Sequence, residues 1–134
     1  MCNVKFKNLE HENFYSENLP LAGYEDGYHR ALIYLLGVSE DTRTHFKQIY
    51  NIETGCIKPE CLYEEWTTGS GRKIMRLAFN LYTGWTPTIR AFSDEREKLE
   101  ECSRYSIDEL FCCDYAPYFW EAIKLRYPEY TKNQ

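Results

Sequence analysis

Between Trp66 and Trp85 the chain reads WTTGSGRKIMRLAFNLYTGW, and this stretch constrains the fold more than any other. Ile74, Leu77, Ala78 and Leu81 recur at i, i+3, i+4 and i+7, the stripe of a buried helix face. Met75, Phe79 and Tyr82 widen the stripe until only Lys73, Arg76, Asn80 and Thr83 remain polar. A helix apolar over most of its circumference needs neighbours on most sides. The spacing therefore predicts a helix over residues 72–83, closed by Gly84, with the other elements packed around it.

Those elements read as short helices. Residues 1–7 alternate weakly (Val4, Phe6), as a frayed arm or short strand would. A helix over 8–18 has Leu9, Phe14 and Tyr15 as its apolar side and ends at Pro20 and Gly23. Asp26 caps a second helix through Leu36, with Gly37 as its C-terminal stop. Ser39 caps a third to about Tyr50, with Glu40 and Asp41 in the first turn. Glu53-Thr54-Gly55 reads as a turn across which Ile52 and Ile57 pair as a hairpin. Pro59 opens a short helix to about Trp66. Residues 86–92 are connection, and residues 93–105 form a peripheral helix or loop with a thin stripe of Leu99 and Cys102. Ser106 and Glu109 fit a capping box that opens a helix to about Cys113. Pro117 starts the last helix, stopped by Pro128, and its Phe119, Trp120, Ile123 and Tyr127 face suits the central helix. Residues 131–134 are left as a tail with little to pack.

Neither a repeat nor a linker divides the chain. The expected architecture is mainly α: one domain over residues 1–134, a compact bundle of about six short helices with one small β-hairpin near 51–57. At 134 residues such a domain can bury a core without staples. Six cysteines (Cys2, Cys56, Cys61, Cys102, Cys112, Cys113) have the wrong spacing for common zinc modules, so no metal is assigned. With no membrane-length apolar run and no signal-peptide pattern at the N-terminus, the sequence reads as cytoplasmic, where these thiols stay reduced. A net charge of −5 argues against nucleic-acid binding and leaves room for a basic protein partner. Twelve Tyr, seven Phe and three Trp are expected by default in the core, and part of this aromatic excess also suits a recognition surface or self-association.

Thr67, Thr68, Gly69, Ser70, Gly71, Arg72 and Lys73 are the candidate ligand-binding residues. Glycines let amides turn toward an anion, a helix N-terminus adds free N–H groups, and the two cations would complete the site. Arg72 separates Gly71 from Lys73 and Ile74 follows, so the loop is no Walker A motif; its simpler role is a helix cap. His11, between Glu10 and Glu12, reads as solvated surface, His29 as structural, and His45 as structural or exposed. No nucleophile–base pair is apparent, no catalytic residue or cofactor is assigned, and the enzyme reading leans to no. Arg30, His29, Arg76, Asn80 and Arg126 are polar residues on apolar helices that could assemble a site only in three dimensions. Asp94, Glu95, Glu97, Glu100 and Glu101 form an acidic face suited to a basic partner, or simply to water.

The wording YHRALIYLLG (28–37), IKPECL (57–62), WTTGS (66–70), RLAFNLYTG (76–84) and APYFWEAIKLRYPEY (116–130) resembles a domain-of-unknown-function family of small proteins from Firmicutes and their phages or mobile elements. The resemblance implies no activity and no catalytic residues. It implies a setting in which small acidic proteins inhibit host systems such as CRISPR effectors. The leading expectation is a non-enzymatic accessory factor that binds and inhibits a host protein. The alternative is a small-molecule or nucleotide-binding protein, or an enzyme, using residues 67–73.

Overall fold

The computed structural model describes residues 4–87 and 92–131. Among them are eight α-helices: α1 (Leu9–Asn18), α2 (Gly27–Leu36), α3 (Glu40–Thr44), α4 (Phe46–Ile49), α5 (Gly69–Thr83), α6 (Glu95–Ser103), α7 (Ile107–Phe111) and α8 (Ala116–Arg126). Three 3-10 turns, Pro20–Ala22, Pro59–Tyr63 and Pro128–Tyr130, each open with a proline that cannot donate to a preceding carbonyl. One antiparallel hairpin joins β1 (Tyr50–Asn51) to β2 (Cys56–Ile57). The mainly helical single domain with one hairpin is what the periodicity predicts. Cys2, the start of the N-terminal arm, most of the 86–92 connection and the last three tail residues lie outside the described residues.

The organising element is α2 rather than α5. Ala31, Leu32, Ile33, Tyr34, Leu35 and Leu36 have no exposed surface, so over its last six residues this helix is covered on every side. It packs extensively against both α5 and α8, whereas α5 and α8 meet each other less. The shared core comprises Leu32 and Leu35 of α2, Ile74, Met75, Ala78 and Phe79 of α5, and Phe119 and Ala122 of α8. Two glycines permit the close approach. A Cβ at Gly27 would sit 2.8 Å from the Arg126 carbonyl oxygen of α8, and one at Gly37 would sit 2.7 Å from Cδ1 of Phe14 on α1. Gly37 therefore ends α2 with an ordinary φ of −90° and is required by packing, not by a left-handed cap. That conformation occurs at Gly84, which closes α5 at φ 86°.

Local elements depart from the sequence reading for identifiable reasons. Ile57 pairs with Tyr50, not Ile52, because the Asn51 side chain accepts from the amides of Glu53 (3.0 Å) and Thr54 (3.1 Å) and turns Ile52 out of the strand. The third helix is broken at His45, whose Nδ1 donates to the Asp41 carbonyl (2.9 Å) and whose ring lies flat on Trp66 at 4.0 Å. The 59–63 segment is a 3-10 turn, and α7 stops at Phe111, where Cys112 leaves helical geometry. Leu9 and Leu99, expected on inward stripes, are exposed.

The solvated role expected of His11 is overturned. The residue is fully buried between α1 and α2, its ring 4.5 Å from that of Tyr34 and 5.1 Å from that of Phe6. The Lys7 amide donates to Nδ1 (3.0 Å), which leaves the proton on Nε2 to be donated to the Tyr34 carbonyl (2.8 Å). Burial is the main cause of a pKa lowered to about 4, with the charges of Arg43 and Lys7 adding to it.

Candidate functional site

The start of α5 is built by Thr68, whose Oγ1 accepts the Gly71 amide at 2.9 Å. A Cβ at Gly71 would fall 3.0 Å from that same oxygen, so this glycine serves the cap. Thr67 bonds back to the Glu64 carbonyl at 2.7 Å, and Ser70 is exposed in the first turn. Residues 69–73 are thus helical, and the seven residues divide: Thr67, Thr68 and Gly71 make the helix start, while Gly69, Arg72 and Lys73 face a cavity. At the head of the helix the amides of Gly69 and Ser70 have no intrahelical acceptor.

That cavity has a volume of about 340 Å³ and is lined by Tyr63, Gly69, Arg72, Lys73, Arg76, Arg104 and Glu109. Three chain segments converge on it: the 3-10 turn at 59–63, the first two turns of α5, and the α6–α7 region. Each cation is held by part of its donor set. Arg72 Nε donates to the Leu62 carbonyl (2.8 Å), and Lys73 Nζ donates to the Glu109 carbonyl. Arg72 keeps both terminal nitrogens, and Lys73 two of its three protons, for another acceptor.

Arg76 forms the rear wall, and its partner is the residue sequence reasoning misplaced. Glu101 is 2% exposed, on the inner side of α6, and does not share the acidic face with Asp94, Glu95, Glu97 and Glu100. Its carboxylate accepts Arg76 Nε (2.9 Å) and Nη2 (3.1 Å) in a two-point pair, and it also accepts the Tyr63 hydroxyl. Arg104 approaches the same carboxylate at 4.0 Å. Side-chain exposures of 8% for Arg76 and 1% for Glu101 place this pair out of water. Burial works against the Arg76 charge, but hydrogen bonding and attraction to Glu101 outweigh it and its pKa is raised. Burial, then the Glu101 charge, raises Tyr63 and Tyr105, whose hydroxyls stay protonated. Tyr105 Oη is itself buried without a hydrogen-bond partner among the described residues.

The remaining Arg76 nitrogen, Nη1, has no partner among the described residues. Nη1 is not among the buried unpartnered atoms, so this end of an otherwise buried guanidinium stays open to solvent. With Arg76 set against Glu101, the three charges of Arg72, Lys73 and Arg104 face the one Glu109 carboxylate, a surplus of two on a chain of net charge −5. The lining holds no imidazole, thiol or aliphatic hydroxyl. Such a lining can attract an anion.

The other candidates do not join this site. His29 Nδ1 meets Asp26 Oδ1 at 2.7 Å, but the same oxygen caps α2 by accepting the His29 amide, so the pair belongs to a helix start. Asn80 donates to the Trp85 carbonyl (2.9 Å) and Arg126 to the Leu81 carbonyl (2.9 Å), with the Arg126 guanidinium stacked 3.7 Å over Tyr28. Arg30 lies near Asp26. A wider depression of about 740 Å³ runs past Phe14, Arg43, His45 and Phe46, where Arg43 bonds the Gly37 carbonyl at 2.8 Å. On α6, Asp94 caps the helix through the Arg96 amide (2.9 Å), Glu95 sits 3.5 Å from Lys98, and Glu97 and Glu100 are exposed. Among the described residues no group of three His, Cys, Asp or Glu could hold a metal ion, and no helix is long and apolar enough to cross a membrane.

Sequence reasoning singled out Arg72, Lys73 and, as a polar residue on an apolar helix, Arg76. It missed Tyr63, Glu101 as a buried partner, Arg104 and Glu109. The available signal was Arg76 itself: a cation within an apolar stripe requires a counter-charge from another element. No curated protein and no solved structure matches the chain. A family model described as "Family of unknown function (DUF6075)" matches residues 1–134, and the chain belongs to that family.

Proposed function

We propose that this protein is a non-enzymatic binding protein whose pocket at the head of α5 captures a small anionic ligand. The observation that carries the reading is the Arg76 guanidinium, buried, fixed by Glu101, and left with Nη1 unpaired in the pocket wall. The pair with Glu101 fixes the guanidinium while Nη1 stays open to solvent, so an anion entering the cavity can replace water as its acceptor without reorganising the arginine. Arg72 and Lys73 add charge at the mouth, and the positive end of the α5 dipole acts in the same sense. The test is a thermal-shift series with inorganic phosphate, pyrophosphate and nucleotides. A ligand at ten times its Kd stabilises by about 1.4 kcal/mol, which raises Tm by about 5 °C for a domain of this size. The shift should disappear in Arg72→Ala and Lys73→Ala. Shifts that survive both substitutions, or no shift with any anion, would refute the reading.

The protein-partner reading is supported by a separate observation. Asp94, Glu95, Glu97 and Glu100 are exposed on α6 together with Leu99, 70% exposed, an acidic surface with an apolar centre. In this reading the protein is a phage or mobile-element accessory factor that docks α6 on a basic host protein, such as a CRISPR effector or another antiphage component, and inhibits it. Capture of a specific partner from a Firmicute lysate, lost when Glu95, Glu97 and Glu100 are changed to Lys, is the expected result. Capture that ignores those changes would count against this surface.

A further inference from the structure

Resting on the anion-pocket reading, we infer that the ligand class is a phosphate monoester carried on a flat ring, of the nucleoside 5′-monophosphate kind. Charge, size and the character of one wall each bear on this.

The rim surplus of two positive charges matches a dianion rather than a carboxylate. A phosphate monoester carries about −1.5 to −2 at neutral pH and presents three terminal oxygens. A carboxylate carries only −1 and presents two oxygens. The donors left over suit three oxygens. They are the two terminal nitrogens of Arg72, the free protons of Lys73 and the unpaired Nη1 of Arg76. Arg104 carries a further cation near the Glu101 side of the pocket. Gly69 lines the same mouth, and a Cβ built there would touch nothing, so an incoming group meets no side chain on that flank.

The cavity is also larger than a phosphate requires. About 340 Å³ lies at the low end of the roughly 300–1,000 Å³ typical of organic ligands, so the anion would arrive attached to something. Tyr63 offers the surface for that attachment. Its ring is 44% exposed on the pocket wall, its hydroxyl is tied to Glu101, and its edge-to-face contact with Phe92 (5.3 Å) braces it from the side. A ring held at its hydroxyl and flank, with exposed surface beside a cationic pocket, is a stacking platform for a base.

The experiment is calorimetric titration of the full chain with four probes: inorganic phosphate, ribose 5-phosphate, AMP and adenosine. AMP is expected to bind about tenfold or more tightly than ribose 5-phosphate, within the range that one aromatic stack contributes. Adenosine is expected to show no saturable binding. Tyr63→Leu should abolish the preference for AMP over ribose 5-phosphate, both measured in that variant. Tyr63→Phe, which keeps the ring, should retain the AMP preference. Equal affinities for AMP and ribose 5-phosphate would overturn the flat-ring assignment and leave the anion pocket standing. Absence of binding by all three phosphates would overturn both. Far-ultraviolet circular dichroism of each variant confirms that the folded protein is being compared.

Discussion

Replacing Glu101 by Ala tests whether the wall of the pocket is fixed by a buried ion pair. The substitution leaves the Arg76 guanidinium, 8% exposed at its side chain, with no carboxylate for Nε and Nη2. Removing one partner from a buried pair costs about 3–5 kcal/mol, because the survivor keeps its desolvation penalty and loses its compensation. Little of this is recovered through Tyr63: its hydroxyl is a weak substitute for a carboxylate, and Arg76 Nη2 already reaches it at 3.4 Å. Against a total stability of about 5–15 kcal/mol the loss is large but measurable, and in Tm it amounts to about 10–20 °C. Urea unfolding followed by circular dichroism gives the free energies. The decisive comparison is the cycle of Glu101→Leu, Arg76→Met and the double variant carrying both. Replacing both charges by apolar groups should restore stability to within about 1–2 kcal/mol of the parent, since isosteric replacement of a buried pair is often neutral. With about 3–5 kcal/mol lost in each single variant, the cycle should return a coupling of at least about 4 kcal/mol. An Ala variant within 1 kcal/mol of the parent, or a coupling near zero, would mean that α6 does not clamp Arg76 and that the pocket wall is not preorganised.

Three further predictions rest on separate parts of the fold. His11, with a pKa of about 4 folded against its ordinary 6.5, binds its proton more readily once unfolded. Its contribution is therefore intact above pH 6.5 and is lost as pH falls toward 4, by about 3 kcal/mol in total; His11→Gln should flatten that slope in urea titrations at pH 7, 5.5 and 4.5, and an unchanged slope would exclude the assignment. Gly37→Ala forces a methyl group against Phe14 and should cost about 1–3 kcal/mol by the same unfolding assay. Thr68→Ala removes the acceptor for the Gly71 amide and should cost about 1 kcal/mol. A neutral result in either case would show that the helix end in question relaxes freely.

Periodicity carried most of the fold. The stripe in α5 and the apolar run in α2 can be read directly, because a helix face repeats locally and caps such as Asp26 and Thr68 act on amides three residues away. What local patterns cannot supply is which helix becomes the centre. Both α2 and α5 are broadly apolar, and it is Gly27 and Gly37 that let α1 and α8 close over α2, a fact about two distant contacts. The same limit explains the site. Arg72 and Lys73 announce themselves beside glycines, but Glu101 is one acid among several in a charged segment. Only the turn that aims it at Arg76, 25 residues away, separates it from Glu100. His11 was misread for the same reason: its neighbours Glu10 and Glu12 point away, and its own face meets Tyr34, 23 residues on.

The central claim is that Arg72, Lys73, Arg76 and Arg104 make one anion site at the head of α5. The most direct measurement is the dissociation constant for pyrophosphate, taken by isothermal titration calorimetry at low ionic strength for the parent and for Arg72→Gln, Lys73→Gln. The account predicts saturable one-to-one binding by the parent, weakening as salt screens the rim, and at least a tenfold loss in the double variant with its stability within 1–2 kcal/mol of the parent. A parent that shows no saturable heat, or a double variant that binds as tightly, would contradict it.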